Sequence, residues 1–212
     1  MKLYKFKSLE GDGFLHSLDM IVNDRIYLFT CDSMNDPYEG AWSNCEAISD
    51  LMNDGYIEKV QKLRNLVDSV RFTCFTESYN NELLWAHYAG GFTGVCFEYD
   101  LDEAKYDIRK VNCDGKVELT IEEIDQVIEG KQLPQDVGIL KSKSACWGYE
   151  SEYRLYQDIG SNDVYIYSKP SKIIFGGRSL KYDDVFMQVV RKYEIKIAYL
   201  SKENGEHTIY DV

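Results

Sequence analysis

Short apolar runs rich in aromatic and β-branched residues recur along the chain, separated by turn residues or by segments of helical periodicity. The clearest runs are Leu3–Phe6, Arg25–Thr30, Phe72–Thr76, Thr93–Tyr99, Lys172–Phe175 and Ile195–Leu200. Short runs of this composition predict β-strands. Because helical segments are inserted among many short strands, the pattern predicts an α+β fold with mixed or antiparallel sheets, not a doubly wound one.

The length of 212 residues suits a single domain, and neither a repeat nor a linker divides it. Two helical insertions are predicted, at about residues 48–70 and 118–130. The first carries an apolar stripe that includes Leu63 and Val67, and the second is an acidic amphipathic helix with Ile124 and Val127.

Charge and hydropathy narrow the class of partner. A net charge of −12 argues against broad affinity for nucleic acid, although a local patch could still hold a nucleic-acid end. No stretch approaches the length of a membrane span and the N-terminus lacks the apolar core of a signal peptide, so a cytoplasmic protein with no membrane association is expected. The six scattered cysteines favour free thiols over a zinc site.

Charged residues at alternate positions mark the segment Ala145–Tyr156. If this segment is a strand, the side chains of Glu150, Glu152 and Arg154 leave it on the same face. Two interpretations stay open: an ion pair on an edge strand, or a rim of acidic groups over a cleft.

Aromatic residues cluster in a predicted short helix from Asn80 to Ala89. Trp85, His87 and Tyr88 lie there together, followed by two glycines. Such side chains can stack on a flat ring and hydrogen-bond to its edges. A lone histidine is, however, more often a core or surface group than a catalyst.

A polar loop follows the second predicted strand. Asn35 and Pro37 fit a tight turn, whereas Asp36 and Glu39 could line a cleft or hold a cation. A metal site would need further oxygen ligands from elsewhere in the chain, and nothing in the spacing requires one.

Taken in order, the motifs resemble a widespread bacterial and phage family that is catalogued only as a domain of unknown function. The resemblance covers nearly the whole chain and rests on these blocks: Leu3–Phe6, Ile26–Phe29, Asn35–Glu39, Cys74–Thr76, Leu84–Ala89 with Gly94, Trp147 with Tyr149–Arg154, and Ile173–Gly176.

The layout also resembles, more distantly, the ADP-ribosyltransferase fold, in particular the branch that modifies nucleic acids. The similarity lies in a polar residue between aromatics on the first strand, a tyrosine-bearing helix before a strand that starts with glycine, and a late Glu-x-Glu strand. Here these are Lys5, Tyr88 and Glu150-Ser151-Glu152. Lys5 stands where histidine or arginine is usual.

The second resemblance implies NAD as cofactor and assigns roles to residues. Glu152 would stabilise the positive charge that develops on the ribose, and Glu150 would deprotonate or orient the acceptor. Lys5 would meet the pyrophosphate, and Tyr88 or Trp85 would stack on the nicotinamide. The remaining predicted ligand-binding residues are His87, Asn35 and Asp36.

The function predicted on this basis is NAD cleavage with ADP-ribose transfer to a nucleic acid or protein acceptor, as in a toxin or a phage-defence component. One alternative is a non-catalytic protein that binds a nucleotide or a partner. A second is a metal-dependent hydrolase or nuclease that uses Asp36, Glu39, Glu98, Glu150 and Glu152.

Overall fold

The computed structural model describes residues 1–44, 54–158, 160–178, 183–203 and 206–212. Its strands are β1 (Lys2–Lys7), β2 (Arg25–Tyr27), β3 (Ser43–Asn44), β4 (Phe72–Thr76), β5 (Val95–Asp100), β6 (Ile108–Lys110), β7 (Glu118–Leu119), β8 (Glu152–Tyr156), β9 (Tyr165–Tyr167), β10 (Lys172–Phe175), β11 (Lys196–Glu203) and β12 (Glu206–Asp211). Its α-helices are α1 (Asp12–Val22), α2 (Asp54–Ser69), α3 (Glu82–Tyr88), α4 (Ile121–Ile128) and α5 (Asp183–Lys192). Short 3₁₀ helices span Cys31–Ser33, Ile139–Lys141 and Ala145–Glu150.

Eight of these strands form the central sheet, in the order β12-β11-β10-β5-β1-β4-β8-β6. Strands β10 and β11 pair in parallel, and the other neighbours are antiparallel. The sheet and its helices form one domain. The predicted α+β class with a mostly antiparallel sheet is therefore confirmed.

Apolar side chains cover both faces of this sheet, because successive residues of a strand point to opposite sides. On β1, Leu3 belongs to a cluster that also holds Phe97, Phe186 and Val190. Its neighbours Tyr4 and Phe6 belong to a second cluster, in which Trp85 of α3 is buried. A third cluster lies between α2, α4 and the ends of β4 and β8.

The sheet is loosely joined between β1 and β4, the fifth and sixth of its eight strands. A single residue pair, Tyr4 with Thr76, connects these two strands, whereas β1 pairs with β5 at every position from Lys2 to Lys7. Beyond that pair the ladder is interrupted, and side chains rather than backbone bonds connect the strands. This gap positions the cavity described below.

The segment Ala145–Tyr156 differs from its prediction. Residues Ala145–Glu150 form a 3₁₀ helix, Ser151 has a left-handed backbone with φ of 44°, and only Glu152–Tyr156 is a strand. The prediction of one continuous strand was therefore wrong for Glu150. Local turns such as the Ser151 N–H bond to the Gly148 carbonyl, 3.3 Å long, prevail there over the strand-like aromatic composition.

The two helical insertions pack against each other, with Lys59 Nζ 2.7 Å from Asp125 Oδ2. The first begins at Asp54 in the described chain, and the predicted residues 48–53 lie outside the described residues. The second is shorter than predicted: Glu118 and Leu119 pair with β3, and Thr120 then caps α4 in a capping box with Glu123.

Candidate functional site

A cavity of about 260 Å³ opens where β1 and β4 separate. Five of the residues predicted from the sequence line it: Lys5, Asn35, Tyr88, Glu150 and Glu152. The rest of its wall is formed by Tyr4, Phe6, Lys7, Phe29, Ser33, Met34, Cys74, Phe75, Thr76, Leu84 and Lys143. Residues from four distant motifs therefore meet at one concave surface, although the sequence separates them widely.

One side of the cavity is held by a chain of hydrogen bonds that starts in the loop after β2. Asn35 Nδ2 donates to the Tyr88 hydroxyl over 3.2 Å, and that hydroxyl donates to Glu150 Oε1 over 2.5 Å. Burial and the Glu150 acceptor both raise the pKa of Tyr88, so its phenol stays protonated. Tyr88 therefore acts as a hydrogen-bond donor at neutral pH.

Lys143 extends this chain from Glu150 to Glu152. Its ammonium lies 2.9 Å from Glu150 Oε2 and 2.6 Å from Glu152 Oε2. Burial alone would lower the pKa of Lys143, but the carboxylates of Glu152 and Glu150 outweigh burial and hold that pKa above its usual value. A permanently charged lysine thus bridges the two predicted catalytic glutamates.

Arg154 is the last member of this series of hydrogen bonds and ion pairs, and it lies behind the cavity wall. Its Nε lies 2.8 Å from Glu152 Oε1, while Nη1 and Nη2 donate to the two oxygens of Glu39 over 2.7 and 2.8 Å. Nη1 also donates to the Leu140 carbonyl over 2.5 Å. The guanidinium is completely buried, and this set of acceptors satisfies it.

The charge of Glu152 is fixed by these neighbours. Burial raises its pKa, yet Arg154 and then Lys143 outweigh burial, and the pKa lies well below its usual value. The carboxylate is ionised at neutral pH, but both of its oxygens already contact cations. Any ligand must compete with Lys143 and Arg154 for this carboxylate.

The opposite wall carries two lysines of β1. Lys5 Nζ donates to Thr73 Oγ1 over 2.8 Å and to the Cys74 carbonyl over 2.9 Å. It is almost fully buried, and burial, reinforced by the charge of Lys7, lowers its pKa to about 7. Burial also lowers the pKa of Lys7. Neither lysine forms an ion pair with a residue that the structure describes.

Helix α3 holds Tyr88 in the cavity wall, and its first turn is anchored by Asn81. The Asn81 Oδ1 accepts from the Leu83 and Leu84 N–H groups over 2.9 and 3.4 Å, as an N-cap does. Its Nδ2 donates to the carbonyl of Tyr149, the residue next to Glu150. This one side chain joins the helix that carries Tyr88 to the segment that carries Glu150.

Three of the predicted residues do not reach the cavity. Trp85 is fully buried, stacks on Phe92 and donates its indole N–H to the Tyr79 carbonyl. His87 is exposed, with Nδ1 3.2 Å from the Tyr149 hydroxyl. Asp36 closes the loop by accepting from the Tyr38 N–H over 2.9 Å, and it faces a separate surface hollow.

Two charged residues of the cavity, Lys143 and Lys7, escaped the sequence reasoning. Nothing in the sequence around Lys143 marks it as a partner of two glutamates. Lys7 could have been predicted from the sequence. It lies two residues after Lys5 on the same strand, and residues two apart on a strand share a face.

Most of the acidic residues proposed for a metal site already contact cationic side chains. Glu39 is engaged by Arg154, and Glu98 accepts from Lys2 Nζ over 2.9 Å and from the Tyr4 hydroxyl over 3.3 Å. Among the described residues no group of three or more His, Cys, Asp or Glu side chains is arranged to hold a metal ion. The geometry therefore lends no support to the metal-dependent alternative.

Comparison with known proteins gives no relative to this chain: no protein-family model, no curated protein and no solved structure matches it. The two resemblances drawn from the motifs stay predictions. None of the described helices combines the length and the apolar character needed to cross a membrane.

Proposed function

We propose that the cavity binds a small ligand in which a flat ring carries an anionic group, that is, a molecule of nucleotide type. The observation that carries this proposal is the pair Lys5 and Lys7, which line one wall of the cavity without an acidic partner in the described chain. Burial lowers the pKa of both amines, and an anionic ligand would offset the cost of charging them.

The remaining wall suits the ring of such a ligand. Phe29, Phe75 and Tyr88 line the cavity and offer aromatic surface, while the Asn35 amide offers hydrogen-bonding groups. The volume of about 260 Å³ lies just below the range of roughly 300–1,000 Å³ that is common for ligand sites. A cavity of this size has room for a ring with one anionic group, or for one end of a dinucleotide.

Calorimetric titration with AMP, adenosine and NAD tests the proposal. We expect AMP to bind and adenosine, which lacks the phosphate, to bind about tenfold or more weakly, because a charge-assisted hydrogen bond contributes about 1.5–3 kcal/mol. Lys7→Gln should weaken AMP binding by a similar factor. The exposed Lys169→Gln, outside the cavity, should leave it unchanged.

Equal affinity for AMP and adenosine would contradict the proposal, as would the absence of binding at millimolar AMP. Retained AMP binding in Lys7→Gln would remove Lys7 from the site.

A second candidate function is NAD cleavage with ADP-ribosyl transfer. The observation that favours it is that Glu150, Glu152, Tyr88 and Lys5 line one cavity. An ionised Glu152 would stabilise positive charge on the ribose, and Glu150, held by Lys143 and Tyr88, would orient the acceptor. The contacts of Glu152 with two cations reduce the negative potential that it offers.

Release of nicotinamide from NAD tests this second function. We expect release by the wild type, and a loss of roughly a hundredfold or more in Glu152→Gln. Because Glu152→Gln also disturbs a buried ion pair, Tyr88→Phe serves as a milder variant with the same direction of effect. Nicotinamide release at equal rates in the wild type and in both variants would exclude these residues from the chemistry.

A further inference from the structure

The two lysines of the cavity differ in their surroundings. Lys5 Nζ is held by two neutral acceptors, Thr73 Oγ1 and the Cys74 carbonyl, and it lies 5.3 Å from the centre of the Phe75 ring. Lys7 Nζ lies 5.8 Å from the centre of the Phe29 ring and is less buried than Lys5. The amine of Lys5 is thus oriented by two hydrogen bonds in an apolar surround, with a second cation beside it on the strand.

An amine in such a place is a nucleophile, because the neutral form is favoured by burial and by a neighbouring positive charge. Lys143 shows the contrast within the same cavity. Two carboxylates contact its ammonium, which keeps it protonated and unreactive. Lys5 has no such partner among the described residues.

We infer that Lys5 forms a Schiff base with an aldehyde or ketone group of the cavity ligand, while Lys7 holds the anionic group of the same molecule. This inference rests on the proposed function, since it assumes an anionic ligand in this cavity. It narrows that ligand to one that carries an aldehyde or ketone group as well as its ring and its anionic group.

The step is balanced without a further reactant. The Lys5 nitrogen adds to the carbonyl carbon, and the carbon–oxygen bond is replaced by a carbon–nitrogen double bond. The carbonyl oxygen leaves as water with two protons from the amine. Neither an oxidant nor a reductant takes part, and the bond is reversible by hydrolysis.

Pyridoxal 5′-phosphate is a suitable probe, because it joins a flat ring, a phosphate and an aldehyde. Its alcohol analogue, pyridoxine 5′-phosphate, has the ring and the phosphate but cannot form an imine. The protein is incubated with the aldehyde at neutral pH, the imine is reduced with borohydride, and the modified lysine is identified by peptide mass spectrometry. Binding of the alcohol is measured by calorimetry.

We expect the reduced adduct at Lys5 to exceed that at any exposed lysine, including Lys169, by at least roughly tenfold. The Lys5→Arg variant should lose this adduct, because a guanidinium does not form the imine. Lys7→Gln should weaken binding of both compounds. The distribution of adducts in the wild-type protein decides the question even if a variant does not fold.

The outcomes separate the two proposals. If the alcohol binds but the adduct is spread over surface lysines, the Schiff base at Lys5 is contradicted and the anion-binding site is still supported. Failure of both compounds to bind would overturn the anion site and, with it, the inference about Lys5.

Discussion

Arg154 is the residue on which the buried charges of the site depend. Its guanidinium has no exposed surface and contacts Glu39, Glu152 and the Leu140 carbonyl. Removing it would leave Glu39 as a buried carboxylate without its cation and Glu152 with Lys143 alone. An uncompensated buried charge costs far more than the net stabilisation by the intact pair.

Arg154→Met should therefore lower the free energy of unfolding by about 3–5 kcal/mol. The double variant Arg154→Met with Glu39→Met removes the bidentate pair as a unit, and it should recover part of that loss. Urea unfolding followed by circular dichroism measures both. A loss below about 1 kcal/mol in the single variant would contradict a buried ion pair at this position.

At the scale of elements, helix α3 and the 3₁₀ helix Ala145–Glu150 act as one support for the cavity. Asn81 caps the helix and donates to the Tyr149 carbonyl, and Tyr88 bonds to Glu150 at the other end of the contact. Because Ser151 adopts a left-handed backbone, the chain turns between Glu150 and Glu152, and both carboxylates still reach Lys143.

Substitution of Asn81 separates the two roles of this side chain. Asn81→Ala should lower the free energy of unfolding by about 1 kcal/mol, since both the cap and the bond to Tyr149 are lost. Asn81→Asp keeps a capping oxygen and lacks the donor, so its loss should be smaller. Thermal and urea unfolding measure these changes. Asn80→Ala, on an exposed neighbour, is the matched control, and an equal loss there would refute the role of Asn81.

At the scale of the whole molecule, the cavity is formed where the sheet lacks backbone pairing and buries an amine, and both features reduce the stability of the fold. Strands β1 and β4 share one backbone pair, and the buried amine of Lys5 bridges the gap that remains. The pKa of Lys5 is lowered from 10.5 to about 7, while Lys7, Cys74 and Glu152 are the charged or titratable groups that act on it. A site that destabilises its own fold in this way is common where a ligand is to be bound.

This shift makes stability depend on pH in a direction that can be derived. Between pH 7 and pH 10.5 the unfolded chain binds a proton at Lys5 that the folded chain lacks. Burial of Lys5 therefore lowers the free energy of unfolding by less as the pH rises. Lys5→Met removes the destabilisation that burial of the amine causes. We expect the variant to be more stable than the wild type at pH 7, with an advantage that shrinks by about 1.4 kcal/mol per pH unit towards about pH 9.

Urea unfolding of both proteins across this pH range measures the difference. Lys7, Cys74 and Tyr88 also have shifted pKa values in both proteins, and their titration enters the difference only through their coupling to Lys5. A constant difference between variant and wild type, or a less stable variant at pH 7, would contradict the burial of an unpaired amine at Lys5.

The sequence by itself determined the α+β class and the main strands. These features depend on signals within a few residues, namely runs of aromatic and β-branched side chains. It also pointed to Lys5, Asn35, Tyr88, Glu150 and Glu152, chiefly through the roles that the resemblance to the ADP-ribosyltransferase fold implies.

Only the tertiary structure decided how these residues meet. The bonds that join them span 53 residues from Asn35 to Tyr88, 62 from Tyr88 to Glu150 and 115 from Glu39 to Arg154. No local pattern encodes such contacts, so the role of Lys143 and the burial of Trp85 away from the cavity could not be predicted. The separation of β1 from β4 likewise follows from packing across the sheet, and it is this separation that creates the cavity.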